Sequence, residues 1–171
     1  MKVVLIGYMG SGKSVVAKKL AAKLQISCLG LDDLIEKKSK MTIETIFSTK
    51  GELYFRKLEH ELFTEKMQSN DSFVLSTGGG TPCYYNNHEL LKNDDCISIY
   101  LKASVATLYE RLKSEKSKRP LLASLNEEEL KEYIAKHLFD RSYYYHQAKH
   151  ILNVDDKTVD EIVAEIRTLL T

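Results

Sequence analysis

The sequence predicts an α/β fold: a five-stranded parallel sheet flanked by helices. Three observations carry this. Short apolar or β-branched runs alternate with longer stretches of helical periodicity, as a parallel sheet requires because its strands are joined by crossovers. A glycine-rich segment, Gly7-Tyr8-Met9-Gly10-Ser11-Gly12-Lys13-Ser14, joins the first run to the first helical stretch. The 171 residues contain only two prolines and offer no linker at which to divide the chain, so one domain is expected.

The first strand is expected at 3–6, "VVLI", and a helix at 13–24, "KSVVAKKLAAKL", where apolar residues recur at helical spacing. A second strand at 26–31 runs into Asp32 and Asp33. From 33 to 68 the pattern reads as several helices without a strand, which is long for a simple crossover. The third strand, 73–75, leads into Ser76-Thr77-Gly78-Gly79-Gly80-Thr81. Strands at 97–101 and 151–154 complete the count. Between them lies 113–124, "KSEKSKRPLLAS", a polar, highly charged segment containing Pro120.

Composition narrows the function. A net charge of +1 gives no reason to expect nucleic acid or an acidic membrane as the main partner. The opening apolar run of four residues is too short for a signal-peptide core or a membrane span. Cys28, Cys83 and Cys96 have no metal-like spacing and suit reduced thiols, so a cytoplasmic protein is expected.

The 7–14 segment satisfies G-x-x-x-x-G-K-[ST] between a strand and a helix, the context in which this motif binds phosphate. Its glycines let backbone N–H groups converge on an anion at the positive end of the helix. Lys13 would reach the β- and γ-phosphates and the Ser14 hydroxyl would hold Mg²⁺. A nucleoside triphosphate such as ATP is therefore expected. With no N-K-x-D segment and little room for a GTPase, a small-molecule kinase is favoured. Its acceptor pocket should lie at the carboxyl ends of the strands. The candidates there are the three glycines and Asp32, with Arg56, Arg119 and Arg141 as available cations.

These pieces together carry a resemblance. "GYMGSGKS", "LDDLIE", "TIETIFSTKGELYFRKLE", "STGGGTP", "RPLL" and "RSYYYHQA", in this order, resemble the shikimate kinases over essentially the whole chain. The resemblance implies a P-loop kinase fold with sheet order 2-3-1-4-5, a helical substrate-binding insertion at 33–61 and a lid at 113–124. It implies ATP-dependent phosphorylation of the shikimate 3-hydroxyl, a step in making aromatic amino acids, by a monomer. Nucleotide contacts would come from Gly10, Ser11, Gly12, Lys13, Ser14 and Val15, with Arg111 at the adenine and Arg119 on the phosphates. Arg56 and Arg141 would grip the carboxylate, Gly78, Gly79 and Gly80 would offer backbone, and Asp32 would orient or deprotonate the attacking hydroxyl. Another small P-loop kinase, for gluconate or a nucleoside monophosphate, is the neighbouring alternative.

One position departs from the family pattern. Aligned on Glu36, the D-x-D pair at the end of the second strand becomes Gly30 and Asp32, so its first carboxylate is missing. That bears on Mg²⁺ handling, and a nucleotide- and shikimate-binding protein with weakened catalysis is the reading it would support. Asp33 lies on the other side of Asp32, and Asp33-Leu34-Ile35-Glu36 has the form of a capping box, so a helix-capping role is expected for it.

Overall fold

The computed structural model describes residues 1–118 and 122–171. Five strands, β1 (Lys2–Ile6), β2 (Ser27–Gly30), β3 (Phe73–Ser76), β4 (Cys96–Lys102) and β5 (His150–Asn153), pair in parallel in the order β2-β3-β1-β4-β5. Helices α1 (Lys13–Leu24), α2 (Leu31–Ser39), α3 (Ile43–Thr49), α4 (Glu52–Gln68), α5 (Asn87–Leu90), α6 (Val105–Leu112), α7 (Glu127–Tyr145) and α8 (Val159–Leu169) surround the sheet.

The central strand explains its own sequence. Every residue of β1 is buried, as expected of a strand covered on both faces, and this accounts for an unbroken apolar run where an alternating one would serve an exposed sheet. Lys2 enters this core only because its ammonium donates to the Met67 carbonyl (2.7 Å) and to Asp95 (2.5 Å). The edge strands β2 and β5 keep exposed residues. Helix α1 lays Val16, Ala17, Leu20 and Ala21 into the core and packs on β2, β3 and α8. Helices α6, α7 and α8 begin with side-chain caps from Ser104, Asn126 and Thr158. Each such cap is worth about 0.5–2 kcal/mol.

The helical run after β2 is present as three helices, with two corrections to its start. Gly30 is the last strand residue, and both Leu31 and Asp32 lie in the first turn of α2. The helix opens on Leu31, whose side chain is fully buried. Asp33 is consequently the third residue of α2 and caps nothing, because the cap position is Gly30 and no side chain bonds there. Glu36 is equally unavailable for a capping box: its carboxylate accepts from the backbone N–H of Ile43 (2.9 Å) and ties α2 to the start of α3.

The parallel order sets the site. Leu5 of β1 and Gly30 of β2 are both in register with Ser76 of β3, so three strands end at one level. The loop after each end therefore opens onto the same space. Arg119 lies outside the described residues. No helix among the described residues is long and apolar enough to cross a membrane.

Candidate active site

The loop after β1 has the geometry of an anion cradle. Gly10 and Gly12 hold φ of 86° and 97°, values that other residues adopt only under strain. Helix α1 begins at Gly12 with no side-chain cap, so no side chain competes for the N–H groups of its first turn. The ammonium of Lys13 donates to the carbonyls of Gly7 (2.7 Å) and Tyr8 (3.0 Å), which hold it inside the loop. The Ser11 hydroxyl is buried there with no hydrogen-bond partner among the described residues. Arg111, from α6, donates to the Gly10 carbonyl (2.9 Å), and Val15 stands exposed on α1 at the edge of the cleft.

The Ser14 hydroxyl lies 3.4 Å from that of Ser76. Among the described residues no three His, Cys, Asp or Glu side chains gather as a metal cage. That donor chemistry fits Mg²⁺, which retains several waters and takes few protein ligands beside phosphate oxygens.

Opposite the loop, the three glycines after β3 form a floor on which charged groups rest directly. A Cβ on Gly80 would stand 2.7 Å from the Arg56 guanidinium, and one on Gly79 2.9 Å from that of Arg141. A Cβ on Gly78 would meet Glu59 at 3.3 Å and Asp32 at 3.7 Å. Side chains from α2, α4 and α7 thus converge on one backbone turn. The same cleft, of about 980 Å³, is lined by Lys13, Ser14, Asp32, Arg56, Gly79 and Arg141. Its volume accommodates a nucleotide beside a small acid.

Two supports for the arginines escape the motif reading. Glu59, fully buried, accepts from Arg56 (2.9 Å) and from the Thr81 hydroxyl (2.9 Å), which in turn accepts from the Gly78 N–H (2.9 Å). The Arg56 guanidinium also lies over the Tyr84 ring at 4.1 Å. Tyr145, buried on the last turn of α7, donates to the Gly79 carbonyl (2.6 Å) and sits against Arg141. Arg141 also lies over the Tyr8 ring at 5.6 Å. Both lie inside quoted motifs, Glu59 at the end of "TIETIFSTKGELYFRKLE" and Tyr145 within "RSYYYHQA", and helical spacing, three residues after Arg56 and four after Arg141, is the signal that pairs each with its arginine.

Burial raises the pKa of Glu59, with Arg56 and Thr81 opposing it. Burial opposes the charge on Arg141, yet its contacts with Tyr145, Cys83 and Tyr8 leave its pKa above the usual value. Asp32 keeps part of its surface in solvent, but desolvation still pushes its pKa up; Lys13 pulls it down, and Asp33 and Glu36 add to the rise. Burial lifts the Cys83 thiol to about 11, which disfavours the thiolate at neutral pH.

The arrangement offers two cations, a carboxylate of raised basicity and an anion cradle around one cleft. It can hold an anionic polyol against a nucleotide phosphate.

Comparison with known proteins agrees with this chemistry. The family model described as shikimate kinase matches residues 9–171. A shikimate kinase of Flavobacterium johnsoniae is 56% identical over 169 residues, covering 99% of this chain and 98% of the relative. The crystal structure of the shikimate kinase from Bacteroides thetaiotaomicron superposes with a TM-score of 0.89 at 33% identity, covering 99% of this chain and 98% of that one. The Acinetobacter baumannii shikimate kinase, solved in complex with shikimate, gives a TM-score of 0.86 at 29% identity, covering 99% and 92%.

Proposed function

The chain belongs to the shikimate kinase family and phosphorylates shikimate, and we propose that the 3-hydroxyl is the acceptor, ATP the donor and Mg²⁺ the accompanying ion. The observation that carries this assignment of parts is the triglycine floor, with Arg56, Arg141 and Asp32 resting on it across from the phosphate loop.

Arg56 and Arg141 take the shikimate carboxylate, since a guanidinium fork matches a carboxylate edge with two hydrogen bonds. Gly78, Gly79 and Gly80 let the ring approach backbone, and the helical segment 33–61 walls the pocket. Asp32 lies on the opposite side of the acceptor and receives the hydroxyl proton as that oxygen attacks the γ-phosphorus. The new O–P bond forms while the bond to the β-phosphate oxygen breaks, and ADP leaves. Lys13 and the N–H groups of Gly10, Ser11, Gly12, Ser14 and Val15 hold the phosphates, and Arg111 borders the nucleotide side. Arg119 is assigned to the same phosphates by the motif alone. Mg²⁺, when bound, neutralises the β- and γ-phosphates, and Ser14 holds it. A cytoplasmic monomer is part of this reading.

Phosphoryl transfer depends mainly on positioning and charge stabilisation, so this sparse set suffices. A coupled assay with ATP, Mg²⁺ and separate shikimate, gluconate and AMP tests the assignment. ADP should appear with shikimate alone, and turnover of gluconate or AMP without shikimate would refute it.

Gly80→Ala provides a second check. Arg56 is held between Glu59 and Tyr84, so it has little room to retreat from a methyl group whose carbon would lie 2.7 Å away. The variant should lose about 1–3 kcal/mol of stability, as overpacked sites do. Its shikimate KM should rise with the ATP KM nearly constant. Steady-state kinetics and thermal unfolding read both effects.

A further inference from the structure

We infer that the Asp33 carboxylate fills the place left open at Gly30 and holds a water of the metal bound at Ser14, which makes it a positioning residue for Mg²⁺. The inference rests on the proposed nucleotide and metal reading of the phosphate loop.

The geometry begins at Gly30. A Cβ built there would lie 2.7 Å from Oδ2 of Asp33 and 3.4 Å from its carboxyl carbon. The carboxylate of residue 33 therefore folds back over the end of β2, occupying the direction in which a side chain at residue 30 would point. This follows from the early start of α2: one helical turn from Gly30 to Asp33 brings the third residue back above the first.

The face is the right one. Gly30 is in parallel register with Ser76, so a side chain at either position leaves the sheet on the same side. The Ser76 hydroxyl lies 3.4 Å from that of Ser14, the metal-holding hydroxyl of the phosphate-loop motif. A second observation agrees. Cys28, two residues before Gly30 and on the same face of β2, has its pKa raised by burial, with Lys18 lowering it and Asp33 raising it. Lys18 lies one turn after Ser14 on α1, so both residues occupy the same stripe of that helix. Asp33 thus lies near the residues on this face of β2, in keeping with its approach to the Gly30 position.

Its chemistry also suits the task. Among the described residues Asp33 forms no ion pair and no side-chain hydrogen bond, and it is exposed to solvent. Mg²⁺ gives up its waters reluctantly and is commonly held through them, with one or two carboxylates nearby. Partners of this outer kind typically change metal affinity about 10- to 100-fold when removed.

The competing explanation is that Asp33 merely places negative charge at the N-terminus of α2. Binding of Mn²⁺ in the presence of ADP, followed by electron paramagnetic resonance of the free ion, separates the two without recourse to turnover. Asp33→Asn should weaken Mn²⁺ binding at least tenfold, with ADP affinity in the absence of metal unchanged. Gly30→Asp in the Asp33→Asn background should restore most of the loss, because the carboxylate then returns to the same place from residue 30. Gly30→Asp alone should gain little, since its side chain displaces that of Asp33. Unchanged Mn²⁺ affinity in Asp33→Asn, with only a lowered melting temperature, would overturn the inference and leave the proposed function standing. Failure of the unaltered protein to bind Mn²⁺ with ADP would overturn the metal reading beneath it.

Discussion

Asp32→Asn should lower kcat for shikimate phosphorylation by about 10²- to 10⁴-fold, the usual contribution of a positioned general base. The amide keeps the size of the carboxyl and still accepts a hydrogen bond, so shikimate KM should change by no more than a few-fold. The pH profile provides a second signature. Burial raises the Asp32 pKa in the free protein, with Asp33 and Glu36 adding to the rise and Lys13 opposing it. The active form is the carboxylate. As pH falls through this raised pKa, Asp32 takes up a proton and kcat/KM must fall, at a higher pH than for an ordinary aspartate. The limb should disappear in Asp32→Asn. Glu59 also has a raised pKa, so Glu59→Gln is the control: it should weaken shikimate binding but keep the limb.

The second large effect belongs to Arg141. Arg141→Ala should raise shikimate KM by roughly 30-fold to several thousand-fold, equivalent to about 2–5 kcal/mol for deleting one partner of a buried charge pair. Its guanidinium is placed against the Gly79 turn by Tyr145 and Tyr8, so little of its ordering cost falls on substrate binding. ATP affinity should stay within about twofold, because the phosphate-loop residue beside Arg141 is Tyr8, which meets it with its ring and is not among the groups assigned to the phosphates. Arg141→Lys should recover only part of the loss, since an ammonium cannot form the two parallel bonds of a guanidinium. An unchanged KM in the alanine variant would remove Arg141 from the substrate site.

Much of this arrangement is legible in the sequence itself. The phosphate loop is local: glycines, lysine and serine at fixed spacing between a strand and a helix define it, and α1 spans 13–24 as its periodicity predicts. The five strands were readable because sheets buried on both faces carry unbroken apolar runs. Their order came from the family resemblance, since periodicity says nothing about which strand neighbours which.

What stayed hidden depends on contacts between distant segments. Glu59 looks like one of many charged residues on α4, and only the fold reveals that Thr81 and Arg56 close around it at full burial. Tyr145 likewise needs Gly79, distant in sequence, before its phenol has a partner. Asp33 failed for a different reason. D-x-x-E is a local signal, but buried Leu31 starts the helix three residues before the start that a cap at Asp33 would give, and the glutamate is taken by Ile43. The result reverses the expected relation between residues 30 and 33: the aspartate beyond Asp32 reaches the position that sequence order alone denied it.

The most direct test of the central claim is phosphorus and proton NMR of the reaction of the purified protein with shikimate, ATP and Mg²⁺. One new phosphomonoester resonance, coupled to the ring proton at carbon 3, should grow in step with ADP. ADP accumulating with inorganic phosphate and no ring phosphomonoester, or a phosphate on another hydroxyl, would contradict it.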